Sequence, residues 1–313
     1  MVSTGFLLVD GNDTLKRARA PSRHWAVALV IVIVAQWFMW QGHALCQRLL
    51  VAWLSQPGLF GMHESLITSY QVLLELLYLA LPTALLAALA LYLSARVDRR
   101  GARALGLDWM TAPTALVWSA AGLVAALPLM VEIALKEPNL VVLGQAAAVL
   151  TPITIVQAGS EEIVFRGVIL ATLAARYGVG AGLVISSLLF GLWHVSFDLS
   201  LTDNVMKFAT TFAFGVTAGI VTLHYGNLGP AIALHVVWNV ARYLLGGAAS
   251  WSMDFWPAWQ ASLYQPITWA DIENGAALRS IGAPLLIETL IVLAVCRETV
   301  QRLFTGVRAA AAT

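Results

Sequence analysis

Apolar runs of about 20 residues recur along nearly the whole chain, separated by short polar connections and without the period-two alternation of half-buried strands. Read by length, they predict eight spanning helices at roughly 25–45, 66–95, 113–133, 146–176, 180–197, 205–224, 229–246 and 280–298. The fold class expected is therefore all-α, a polytopic transmembrane helical bundle. No low-complexity linker splits it into separate bodies. The expected organisation is a cytoplasmic N-terminal leader over 1–24, N-terminal transmembrane helices over 25–145 and a helical core over 146–246. A final part, 247–313, comprises an outer Trp-rich loop, the last spanning helix and a cytoplasmic tail.

The basic residues orient this bundle. Lys16, Arg17, Arg19 and Arg23 precede the first run; Arg96, Arg99, Arg100 and Arg103 fall in the second connection, Arg176 in the fourth, and Arg297, Arg302 and Arg308 after the last run. The odd-numbered connections carry few cations, mixed with carboxylates, so the positive-inside rule places both termini in the cytoplasm. The first run continues from Trp25 past Trp40 with no small-residue cleavage site, which reads as a retained anchor and not a cleaved signal. Trp251, Trp256, Trp259 and Trp269, interleaved with Pro257 and Pro266, suit the outer headgroup layer, where an apolar ring with one N–H finds both of its solvents.

Composition sharpens the class. Of the 313 residues, 59% are hydrophobic and only 11% charged, against about 25% charged in ordinary soluble domains. A net charge of +1 gives no basis for nucleic-acid binding, and none is expected. Cys46 and Cys296 lie far apart in or beside apolar stretches, which supports neither a disulfide framework nor a cysteine-ligated metal.

Against that background the polar residues inside the spans stand out, since an ionisable group at the bilayer centre costs roughly 2.5–3.5 kcal/mol or more and must have partners. The fourth span holds Gly159-Ser160-Glu161-Glu162-Ile163-Val164-Phe165-Arg166, the fifth Phe190-Gly191-Leu192-Trp193-His194, and the seventh His235-Val236-Val237-Trp238-Asn239. Glu162 and Arg166 are four apart and share a helical face, as do His235 and Asn239, while Glu161 is rotated by about 100° from Glu162. Measured from the turn near Gly178, Glu161 and His194 both rise roughly 25 Å on opposite arms, in the outer half of the bilayer. His235 and Asn239 lie roughly 12–18 Å beyond the turn near Gly226, so tilt is needed to bring them level. Glu75, Glu132 and Glu288 have no histidine or arginine at helical spacing and are expected to be structural or cavity-lining; His224, at a hairpin end, is expected to be satisfied by solvent.

These three segments, in this order on separate spans, resemble the EExxxR, FxxxH and HxxxN motifs of the CPBP intramembrane endopeptidase family, the CAAX protease and bacteriocin-processing (Abi-type) proteins. The resemblance covers about residues 146–246. It implies that Glu161 activates water with help from His194, that His235 and Asn239 stabilise the oxyanion, and that Glu162, Arg166 and Phe190 support them. A carboxylate in a low-dielectric cavity is a stronger base than in water, and donors held on one helix face can be preorganised where negative charge develops. The substrate implied is a membrane-associated protein or peptide, lipidated or not, met at the lipid bilayer of the cytoplasmic (inner) cell membrane.

No cofactor is expected. The alternative is a zinc-dependent form of the same protease, with Glu161, His194 and His235 as ligands; against it, no HExxH pair is present and asparagine is a poor zinc ligand. Two further alternatives belong to other classes. A non-catalytic membrane scaffold or immunity-type protein could keep the motif residues for helix packing, and a secondary transporter would use the carboxylates as proton sites, although no pair of related halves with broken helices is found.

Overall fold

A computed structural model describes residue 26 and residues 29–37, 80–97, 101–107, 112–135, 140–195, 200–247 and 282–310. The leader, Cys46, Glu75, and Trp251 to Trp269 with their prolines lie outside the described residues. Residues 29–37 are helical. Ten further helices follow: α1 Leu81–Arg96, α2 Ala112–Ala125, α3 Leu127–Leu135, α4 Leu140–Glu162, α5 Ala171–Tyr177, α6 Val179–Trp193, α7 Leu201–Tyr225, α8 Gly229–Gly247, α9 Ala283–Val295 and α10 Arg297–Ala310. There is no strand among the described residues, as an all-α membrane protein requires, because only helices satisfy every backbone group within one segment in lipid.

The helix ends follow local chemistry. Pro82 and Pro284 sit in the first turns of α1 and α9, where a missing N–H costs nothing. Ser200 caps α7 by accepting from the Asp203 N–H at 3.2 Å. Gly226, at φ 62°, closes the same helix in the left-handed conformation and donates its N–H to the Thr222 carbonyl at 2.8 Å.

The described surface is rich in apolar side chains. Leu85, Leu116, Val117, Leu192, Leu286 and Leu290 all point outward, with Leu116 72% exposed, whereas the buried set includes glutamates, an arginine and a histidine. Among the described residues, α7 is the one helix long and apolar enough to cross a membrane by itself; α1, α6 and α9 are apolar but shorter. The expected number of eight spans is therefore not established by the helix lengths.

Packing centres on α8, which lies against α2, α4 and α7, while α6 pairs with α7. Small residues permit the closest approaches. A Cβ at Gly182 would lie 2.6 Å from the Ala174 backbone nitrogen, and one at Gly191 would lie 2.9 Å from the Phe208 ring.

Two features were not expected from the periodicity. Between α4 and α5 the chain stays helical but widens into a π segment, Ile163–Leu170, a geometry that recurs at functional sites. The turns near Gly178 and Gly226 are also not level. The Leu228 N–H donates to the Gly106 carbonyl at 2.9 Å, and a Cβ at Gly167 would touch Leu228 at 3.3 Å. The Gly226 turn therefore sits beside Gly167, about 15 Å up the α4–α5 arm from Gly178. That offset carries His235 to the height of the glutamates without the tilt that the sequence called for.

Candidate active site

The π segment and the last turn of α4 present the acidic pair. Glu162 and Arg166 keep their i, i+4 relation, with Arg166 Nη1 3.1 Å from Glu162 Oε1, both side chains buried. His235 arrives from α8 and lies between the two carboxylates. Its Nδ1 is 2.8 Å from Glu162 Oε1, and its Nε2 is 3.8 Å from Glu161 Oε2. Because the Glu162 carboxylate is also paired with Arg166, it acts as acceptor and the His235 Nδ1–H donates. One glutamate thus engages both an arginine and a histidine through Oε1, and the Oε2 of each glutamate is buried without a hydrogen-bond partner.

Glu161 is held from the opposite side. Gln157, one turn earlier on α4, donates from Nε2 to Glu161 Oε1 at 3.3 Å, and Tyr243 of α8 donates its hydroxyl to Gln157 Oε1 at 3.0 Å. The amide can satisfy both only in one orientation, so the Tyr243–Gln157 chain sets where the carboxylate points. Removing the hydroxyl in Tyr243→Phe loses one hydrogen bond, about 1 kcal/mol. If the chain positions Glu161 for chemistry, that variant lowers kcat severalfold with KM and melting temperature nearly unchanged; steady-state kinetics on the purified variant checks this.

Phe190 is the hub of the aromatic layer beneath. Its ring lies 4.2 Å from Arg166 Cζ, 4.7 Å from the His194 ring, 5.9 Å from the His235 ring and 5.0 Å from Phe165. A guanidinium over an aromatic face is stabilised by the ring quadrupole once desolvated. Phe214 of α7 adds a second wall, 4.7 Å from the His235 ring. His194 terminates α6, and its Nδ1 is 2.8 Å from the Phe190 carbonyl. A carbonyl cannot donate, so Nδ1 carries the hydrogen and a neutral His194 presents Nε2 as an acceptor. Asn239 is half-buried one turn after His235 on α8.

The residues singled out from the sequence thus converge from three helices: Glu161, Glu162 and Arg166 with His235, and Phe190 against Arg166 and both histidines. The histidine set directly against the carboxylates is His235. Gln157, Tyr243 and Phe214 were not anticipated. Gln157 could have been found, being an in-span polar residue four before Glu161; so could Tyr243, four after Asn239 on the same face. Phe214 carries no such mark.

Glu288 of α9 is buried and accepts from Thr217 Oγ1 at 2.5 Å, a partner across the bundle and not on its own helix. His224 also departs from expectation: its Nδ1 meets Thr299 Oγ1 of α10 at 2.9 Å, so protein rather than solvent satisfies it.

Zinc requires convergent ligands. Among the described residues no three His, Cys, Asp or Glu side chains group in a way that could hold a metal ion. His235 Nδ1 faces Glu162 and His194 Nδ1 the Phe190 carbonyl, so a metal would have to be met through Nε2 of either ring.

Residues 142–241 match the family described as type II CAAX prenyl endopeptidase Rce1-like. That is the family the three motifs resemble, and the matched stretch contains all of them. Neither a curated protein nor a solved structure matches the chain.

Proposed function

From that match and this geometry, we propose that the protein is an intramembrane endopeptidase that hydrolyses a peptide bond of a membrane-associated protein or peptide by glutamate-activated water. The observation that supports the reading is the difference between adjacent carboxylates: Glu162 is engaged through Oε1 by both Arg166 and His235, while Glu161 has no arginine or lysine paired with it among the described residues, its Oε1 meeting the Gln157 amide and its Oε2 facing His235 Nε2 at 3.8 Å in a buried polar cluster. A structural ion pair needs only the first.

Glu161 Oε2 takes a proton from water, which His194 Nε2 orients as a second acceptor. The hydroxide oxygen bonds to the scissile carbonyl carbon. His235, carrying a hydrogen on each ring nitrogen and held through Nδ1 by Glu162, donates from Nε2 to the oxyanion that forms, as does the Asn239 amide. Collapse breaks the C–N bond as Glu161 returns its proton to the leaving nitrogen. The groups come from α4, the end of α6 and α8, so bundle packing supplies the alignment that makes such catalysis effective.

Purified protein incubated with membrane-anchored fluorogenic peptides, with and without chelator, tests the reading. Turnover indifferent to chelator is the expected result. Turnover lost on chelation and restored by zinc alone would replace the glutamate mechanism with the zinc one.

A further inference from the structure

Glu288 is a buried ionisable residue that the mechanism leaves unused. On α9 it stands one turn from Pro284 and one turn from Val292, and the three form the buried stripe of a helix whose Leu286, Leu290 and Leu293 point outward. Leucine would fill such a place without the cost of an ionisable group inside a bilayer, so the carboxyl is expected to have a task.

Its partner shows where that task lies. Thr217 Oγ1 is 2.5 Å from Glu288 Oε1 and 2.9 Å from the Phe214 carbonyl, one turn earlier on α7. The Phe214 ring lies 4.7 Å from that of His235 and 6.0 Å from Arg166 Cζ. Seven residues after Thr217, two turns along the same face of α7, His224 meets Thr299 of α10. Two polar links on one stripe of α7 therefore fix its rotation and height against α9 and α10, and with them the wall on which the His235 ring rests.

Charge balance decides how Glu288 acts. Arg166 and Glu162 lie within its electrostatic reach. In the proposed mechanism the positive charges of Arg166 and His235 are matched by Glu161 and Glu162. A third carboxylate would leave an uncompensated charge in the bundle and compete with Glu162 for Arg166. As a carboxylic acid, Glu288 still accepts from Thr217 through Oε1 and leaves Arg166 to Glu162.

We infer that Glu288 is a positioning residue, a neutral carboxylic acid whose hydrogen bond with Thr217 holds Phe214 against His235 and so aims His235 Nε2 at the oxyanion. This inference rests on the endopeptidase reading and extends it to α9, outside the three motifs and outside the stretch 142–241.

The test uses the full-length protein and a membrane-anchored fluorogenic peptide. Loss of one neutral hydrogen bond corresponds to about fivefold. Glu288→Leu and Thr217→Val are each expected to lower kcat by about that factor with KM unchanged, and the double variant by no more than either, because all three remove one link. Glu288→Gln, which keeps an acceptor for Thr217 and carries no charge, and Thr217→Ser are expected to retain the wild-type kcat. Wild-type kcat in Glu288→Leu and Thr217→Val overturns the inference, as does multiplication of their effects in the double variant or a loss of turnover in Glu288→Gln. Two spectra need no turnover. The infrared difference between wild type and Glu288→Gln is expected to show a lost carboxylic-acid C=O band that shifts in heavy water; a lost carboxylate band overturns the neutral acid. The ring ¹⁵N resonances of His235 are expected to move in Glu288→Leu and to stay in place in Glu288→Gln, and resonances unmoved in Glu288→Leu overturn the positioning role. The expected spectra from a protein that cuts no peptide would keep the Glu288–Thr217–Phe214 link to His235 and remove the protease reading.

Discussion

Glutamine in place of Glu161 is expected to lower peptide turnover by about a thousandfold while the protein folds and melts as the wild type does. The substitution keeps shape and volume, and the Gln157 amide can still donate to the remaining carbonyl oxygen at this position. Only the basic oxygen is lost. General-base catalysis contributes about 10²- to 10⁴-fold, and the neighbouring Glu162 is held through Oε1 by Arg166 and His235. Stability should hold or rise slightly, since a neutral amide is easier to bury than a carboxylate whose Oε2 has no hydrogen-bond partner. Activity within tenfold of wild type in Glu161→Gln would remove the mechanism. A folding defect in this isosteric variant would instead make Glu161 a packing residue.

The second large effect falls on stability. Arg166→Met keeps much of the side-chain volume but removes the one guanidinium paired with Glu162 and stacked over Phe190. Breaking a buried pair from one side leaves an uncompensated charge, and costs about 3–5 kcal/mol. Thermal unfolding of the purified variant should show a drop of many degrees, and Glu162→Gln/Arg166→Met should regain part of it because both charges are then gone. A single variant that melts with wild type would show that Arg166 is not the counter-charge of this site.

Much of this site can be read from spacing, and what cannot has identifiable physical causes. The relation of Glu162 to Arg166 is local, set by helical periodicity, and it survives even the π segment. That Glu161 and Glu162 have different roles also follows from rotation around one helix. Which histidine meets them does not, because it depends on how high the Gly226 turn sits against Gly167, a long-range packing outcome involving the Gly106 backbone. With both turns assumed level, His235 falls short and His194 takes its place. The π segment itself has no sequence mark among Ile163 to Leu170, where an α-helical pattern would read the same. Glu288 shows the same limit: judged by its own helix it is unpartnered, yet its partner Thr217 lies on α7, far away in sequence.

The most direct measurement of the central claim is mass spectrometry of the products formed from an anchored peptide by the purified wild-type protein in ¹⁸O-water. The account predicts one cut, one heavy oxygen in the newly formed carboxylate, and no covalent peptide adduct on the protein at any time in a single turnover. An adduct on any side chain, or intact peptide across a broad set of sequences offered to folded protein, would contradict it.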